Sequence, residues 1–171
     1  RVLFRSPTAL LDGLVKFHGA GRRFELKGAV NGIRVIDDYG HHPTEIKVTL
    51  EAAKRYAGGG RVLVIFQPHR YSRTQAFTQD FAKALSIADA IWLLEVYAAN
   101  EQPITGVSSA NIVSQLKKSV TQSFFEPNFL AVTESVANEA RPGDVIITLG
   151  AGDVSSIGPL ILEELHKIHS K

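Results

Sequence analysis

Apolar and polar residues alternate along this chain in blocks whose period switches between that of a strand and that of a helix. Ile46, Leu50, Ala53 and Ala57 recur at intervals of three and four, which predicts a helix over Pro43–Ala57. Pro43 suits its first turn, Thr44 and Glu45 favour its start, and Gly58-Gly59-Gly60 ends it. The unbroken apolar run Val62-Leu63-Val64-Ile65-Phe66 predicts a strand buried on both faces. Phe77, Phe81 and Leu85 lie four apart and predict a helix over residues 74–88, followed by a strand over 90–96. Ser108 or Ser109 caps a helix running through Lys118. A short strand at Ser123–Phe125, a helix over 130–139, a strand over 144–149 and a helix over 155–168 complete the series.

Ahead of these, residues 22–30 and 33–38 flank Asn31-Gly32. Asn-Gly between two apolar runs is a strong hairpin signal, because both turn residues must take positive φ. The opening segment reads as a short helix over 8–17 and a Gly-rich turn, the expected tail of something upstream. A hairpin followed by alternating strands and helices predicts an α/β fold: a mostly parallel sheet with helices on both faces.

Composition narrows the picture only at a few points. The 171 residues suit one domain. Nineteen basic side chains stand against 17 acidic ones, a formal charge of +2, which is not the surplus of a nucleic-acid binder. No run reaches the roughly 18 apolar residues of a membrane span. Cysteine is absent, which excludes disulfides, thiolate metal sites and a cysteine nucleophile and fits a cytoplasmic protein. Methionine is absent too and residue 1 is Arg, so the chain is expected to be a fragment.

In open α/β sheets ligands bind beyond the carboxyl ends of the strands. Four such ends carry unusual chemistry: Asp37-Asp38-Tyr39-Gly40-His41-His42, Gln67-Pro68-His69-Arg70-Tyr71-Ser72-Arg73, Glu95-Val96-Tyr97 and Gly150-Ala151-Gly152-Asp153. The opposite ends carry plain turn residues, so one polar site at one sheet edge is expected. Arg70 and Arg73, placed between a strand end and a helix start, can reach one anion. Adjacent residues in a strand face opposite ways, so at most one of Asp37 and Asp38 serves a given site. His41 and His42 cannot converge on one metal ion, and no second ligand cluster is in view. Gly150-Ala151-Gly152 fails as a dinucleotide fingerprint because Ser155 stands where a third Gly belongs, and no P-loop sequence is present.

The motifs Gly21-Arg22-Arg23-Phe24-Glu25, Asp37 to Glu45, Phe66 to Thr74, Glu95-Val96-Tyr97 and Gly150 to Asp153 together resemble the C-terminal domain of the Mur ligases. The likeness is greatest to the members that join L-alanine to UDP-N-acetylmuramate through an acyl phosphate. It runs in order from about Gly13 to the end. It implies a dinucleotide-binding-like (Rossmann-like) sheet over residues 22–171, with residues 1–21 the tail of a central ATPase domain. It further implies ATP and Mg2+ in the whole enzyme, the metal held mainly by the central domain, and the UDP-sugar held by an N-terminal domain.

Carried over by residue, Arg23 would contact ATP phosphates at the interdomain hinge, and Asp38 would hold the nucleotide at its ribose. Tyr39, His69, Arg70 and Arg73 would line the L-alanine site, and His41 the edge between the two. The fragment alone is expected to be inactive. Two other readings stay open: the family's murein-peptide recycling ligase, and a non-catalytic module that binds an anion or nucleotide.

Overall fold

A computed structural model describes residues 21–116 and 122–170; the helix expected over 8–17 and the end of the one expected through Lys118 lie outside the described residues. Strands β1 (Glu25–Val30) and β2 (Ile33–Asp38) form the antiparallel hairpin. Asn31 and Gly32 hold φ of 48° and 76°, the mirror-image turn that matches strand twist. Helix α1 (Pro43–Ala57) leads to β3 (Val62–Phe66), α2 (Tyr71–Leu85), β4 (Ala90–Leu93) and α3 (Ser109–Leu116). Then come β5 (Ser123–Phe125), α4 (Phe129–Glu139), β6 (Val145–Leu149), a 3-10 turn at Asp153–Ser156 and α5 (Ile157–His169).

The six strands lie in the order β1-β2-β6-β3-β4-β5, with every pair after the hairpin parallel. Strand alternation divides the core into two layers. Val62, Val64 and Phe66 of β3 join Ile46 and Leu50 of α1 and Phe81 of α2 on one face. Leu63 and Ile65 join Val132 of α4 and Ile161 of α5 on the other. The mostly parallel α/β sheet expected from the pattern is therefore present, with helices on both faces. No described helix is long and apolar enough to cross a membrane.

Several boundaries differ from expectation by a few residues, and three of them have a clear physical cause. Helix α2 starts at Tyr71 and not at 74, because Arg70 takes φ 76° and its carbonyl already accepts from Thr74 N–H and Thr74 Oγ1. Strand β4 stops at Leu93, before the expected 96; there the Glu95 carboxylate accepts from Val96 N–H and Ser109 N–H and turns the chain toward α3. The last helix opens with the 3-10 turn, where Val154 N–H donates to Gln67 Oε1.

Register brings the carboxyl ends together: Asp38 and Phe66 both stand opposite Leu149, and Phe66 stands opposite Leu93. At the other edge Arg61 clamps the start of β6. Its guanidinium donates to Asp144 and Glu139, and Asp144, 3% exposed, also accepts from the Arg61 and Arg141 N–H groups. Burial alone would raise the Asp144 pKa, but these bonds outweigh it and hold the carboxyl below its ordinary range. Removing one member of such a pair costs about 3 kcal/mol. Asp144→Ala should therefore lower the melting temperature by about 6–12 °C. A depressed carboxyl stabilises the fold above its ordinary value of 3.8, and that contribution is lost as pH falls through the folded-state value. The gap between parent and variant, followed by circular dichroism, should accordingly close in acid.

Candidate functional site

Strand alternation settles the two carboxylates at the end of β2. Asp37 turns to the α4–α5 side, fully buried, where it accepts from Thr148 Oγ1 at 2.7 Å and pairs with Arg22 at 2.8 Å. Asp38 turns to the α1 side. Its Oδ1 accepts from Gly40 N–H (2.8 Å) and Thr49 Oγ1 (3.2 Å), and its Oδ2 from Phe24 N–H (2.8 Å). An ionised carboxylate has about four lone-pair sites, so Asp38 keeps room for one further donor.

Asp38 borders a cavity of about 460 Å³ that is also lined by Arg23, Phe24, Tyr39, Val48 and Thr49. Arg23 has no hydrogen-bonding or ion-pair partner among the described residues. It sits between two residues forced into left-handed backbone, Arg22 (φ 63°) and Phe24 (φ 47°). Such conformations cost of order 1–3 kcal/mol each and persist only when the surroundings hold them. Here Tyr39 N–H donates to the Arg22 carbonyl and Arg22 N–H donates to Glu25, besides the Asp38 bond to Phe24.

Beside the cavity runs a row of rings. Tyr39 meets His41 edge-on at 5.2 Å, His41 lies 5.8 Å from His69, and His69 stacks on Tyr97 at 5.5 Å. His42 faces elsewhere: it caps α1 and packs on Phe77, while Glu45 accepts from the His41 and His42 N–H groups. Burial would raise the Glu45 pKa, but those two bonds and the histidine charges hold it low.

Arg70 and Arg73 both lie close enough to His69 to act on its charge. Burial comes first in lowering the His69 pKa, followed by Arg73, His41 and Arg70, with Glu101 opposing. His69 Nδ1 and Arg73 Nη1 are buried without a hydrogen-bond partner. The two arginines are not both in the loop, as expected: Arg70 is the residue before α2 and Arg73 lies in its first turn. Cations there oppose the helix dipole. Glu101 reaches this end and accepts from Ser72 N–H and Ser72 Oγ.

The fold thus brings Tyr39, His41, His69, Arg70 and Arg73 into one basic cluster, and Arg23 and Asp38 into an adjoining cavity, with Tyr39 common to both. The Gly150–152 turn cradles no open space. A Cβ on Gly150 would meet the Gln67 carbonyl at 2.7 Å, and one on Gly152 would meet the Tyr97 ring at 2.8 Å. Nothing local in the sequence signals the parts played by Arg22, Gln67 and Tyr97, although each lies inside one of the motifs at the strand ends or ahead of β1. Nor do the described residues hold any group of three His, Asp or Glu that could bind a metal.

The family model described as "Mur ligase, glutamate ligase domain" matches residues 22–152. The chain belongs to the Mur ligase family, as its C-terminal domain. It is 53% identical over 163 residues to the UDP-N-acetylmuramate–L-alanine ligase of Mycolicibacterium smegmatis, covering 94% of this chain and 33% of that enzyme. Among solved structures it resembles UDP-N-acetylmuramate-alanine ligase MurC of Thermotoga maritima, with a TM-score of 0.70, 29% identity, and coverage of 95% of this chain and 36% of that one. It also resembles a murein peptide ligase of Psychrobacter arcticus, with a TM-score of 0.72, 25% identity, and coverage of 90% and 32%. The chain spans about a third of the length of the curated relatives it matches.

The charge balance at His69 can be measured directly. NMR titration of its ring should place its pKa below the ordinary 6.5, and Arg73→Gln should move it upward only in part, since burial is the larger cause. A histidine depressed in the folded state binds fewer protons there than when unfolded. Stability should therefore rise with pH between the folded value and 6.5.

Proposed function

We propose that this chain is the C-terminal domain of a UDP-N-acetylmuramate–L-alanine ligase. In this role it brings L-alanine to an acyl phosphate formed from UDP-N-acetylmuramate and ATP, in the bacterial cytoplasm. The observation that carries the proposal is the pair of unpartnered buried nitrogens, His69 Nδ1 and Arg73 Nη1, beside a cavity walled by Arg23 and Asp38. The 53% identity to an alanine ligase supports it over the murein-peptide ligase reading, to which the solved likeness is 25%.

The residues divide the work by charge. Arg70 and Arg73 take the alanine carboxylate, and the helix N-terminus behind them adds to the attraction. A neutral His69 can accept from the ammonium at Nδ1, which an imidazolium could not. Tyr39 and His41 bound the pocket on the nucleotide side. The cavity fits part of a nucleotide: Phe24 and Val48 offer apolar walls, Asp38 has its one spare acceptor for a ribose hydroxyl, and unpaired Arg23 can meet phosphate. Guanidinium groups stabilise the negative charge that gathers as phosphate departs, where water is excluded. The described residues do not fit Mg2+, so no step is assigned to a metal on this chain.

The test uses the full-length enzyme that carries this chain. It should release phosphate with ATP, UDP-N-acetylmuramate and L-alanine, and far less with the tripeptide L-alanyl-γ-D-glutamyl-meso-diaminopimelate in place of alanine. Truncating one partner of a desolvated charged pair costs roughly 2–5 kcal/mol. Arg73→Ala should thus raise the Michaelis constant for L-alanine by about 30-fold or more, with a smaller rise for the more exposed Arg70→Ala, while the constant for ATP moves little. Two solvated arginines would cost less than about 1 kcal/mol, and near-normal alanine constants in both variants would place the carboxylate elsewhere.

A further inference from the structure

The guanidinium of Arg22 is directed into the protein. Nε donates to Asp37 at 2.8 Å, Nη2 to the Gly150 carbonyl at 2.6 Å and Nη1 to the Gly152 carbonyl at 3.3 Å. The same group lies over the Tyr39 ring, 5.2 Å from its centre. Arg22 therefore ties the end of β2 to the turn after β6.

These contacts close a circuit. Gly152 leaves no room for a Cβ against the Tyr97 ring. Tyr97 stacks on His69, with an interplanar angle of 16°. The Arg70 N–H donates to the Tyr97 carbonyl, and the Tyr97 N–H to the Pro68 carbonyl, so the ring and the loop carrying His69 and Arg70 are fixed to each other. His69 faces His41, His41 faces Tyr39, and Tyr39 lies on Arg22. The row of rings is thus held at both ends by one side chain.

We propose that Arg22 is a positioning residue for the amino-acid pocket. It fixes Tyr39 directly, and it fixes His69 through the Gly150–152 turn and Tyr97. This role rests on the pocket assigned under Proposed function. A planar guanidinium can serve an acid and two carbonyls in different directions at once, and a lysine ammonium on a flexible stem cannot. Charge alone is therefore insufficient at this position. A small displacement of the pocket should be felt at the substrate whose contacts are fewest, and misplacement of about 1 Å costs up to 100-fold.

The experiment compares Arg22→Lys, Tyr97→Leu and the double variant with the parent in the full-length enzyme. Michaelis constants for L-alanine, ATP and UDP-N-acetylmuramate are measured separately from kcat. Arg22→Lys keeps the ion pair to Asp37 and loses the fork to the two carbonyls. It should raise the alanine constant about 10- to 100-fold, with the UDP-N-acetylmuramate constant within about twofold. Tyr97→Leu, at a half-exposed position, breaks the circuit without touching the Asp37 pair and should raise the same constant. Because both act through His69, the double variant should show less than the product of the two effects.

A merely structural arginine predicts something else: a fall in kcat from lost folded enzyme, with all three Michaelis constants unchanged. That result, or a normal alanine constant in both single variants, overturns the proposal. If Arg22→Lys does not fold, Tyr97→Leu alone decides the matter by the same criterion. A parent enzyme that turns over with the tripeptide and ignores L-alanine refutes the pocket itself, and this role with it.

Discussion

The carboxyl edge of the sheet depends on how two adjacent buried carboxylates are satisfied. A buried ionised acid without partners is untenable, so each must draw donors toward itself. Strand alternation sends Asp37 and Asp38 to opposite faces, and each recruits the segment that precedes β1. Asp37 takes the Arg22 side chain, and Asp38 takes the Phe24 N–H. Between them they pin residues 22–24 in a backbone that two non-glycine residues would not adopt unaided. Arg23 is thereby aimed away from the core and toward the cavity. The residue with no internal partner is presented by neighbours that are held on both sides.

Much of this organisation was legible beforehand. The switch in hydrophobic period placed α1 without error, and Asn31-Gly32 placed the hairpin turn, because both signals are local. The opposite facing of Asp37 and Asp38 followed from the geometry of any strand. Helix α2 begins three residues ahead of its predicted start, because the Arg70 carbonyl accepts from Thr74 and because Glu101, 29 residues beyond Ser72, accepts the Ser72 N–H. No window around Arg70 contains that acid. The inward role of Arg22 is hidden from the local sequence for a similar reason. Its partners Gly150 and Gly152 lie about 130 residues away in sequence, and beside Arg23 nothing in the local sequence says which arginine faces inward. His42, next to His41 in the same strand-end loop, is a helix cap packed on Phe77.

The basic cluster shows where local stability and site chemistry part. A folding-optimal helix would open with an acid in its first turn and a side-chain cap. Helix α2 has neither: Arg70 stands before it with left-handed backbone, Arg73 sits in its first turn, and no acidic residue is present there. His69 is lodged alongside, and burial first, then the charges of Arg73, His41 and Arg70, lowers its pKa. Departures from local preference of this kind concentrate at functional sites. The mismatch is relieved by any anion that enters, so the free energy withheld from folding becomes available to binding.

That reasoning also explains why the neighbouring cavity is built differently. Asp38 there is nearly saturated, the walls are largely apolar, and the one free cation, among the described residues, is Arg23. On the proposed reading, the spare acceptor of Asp38 and the unpaired Arg23 suit a ligand carrying both a hydroxyl and a negative group some distance apart. On the same reading, the basic cluster, with several donors around the His69 ring, suits a compact carboxylate with an ammonium beside it. Tyr39 separates the two and is held by Arg22 from behind. Under the proposed function, two ligands of opposite character would then be brought to adjacent places.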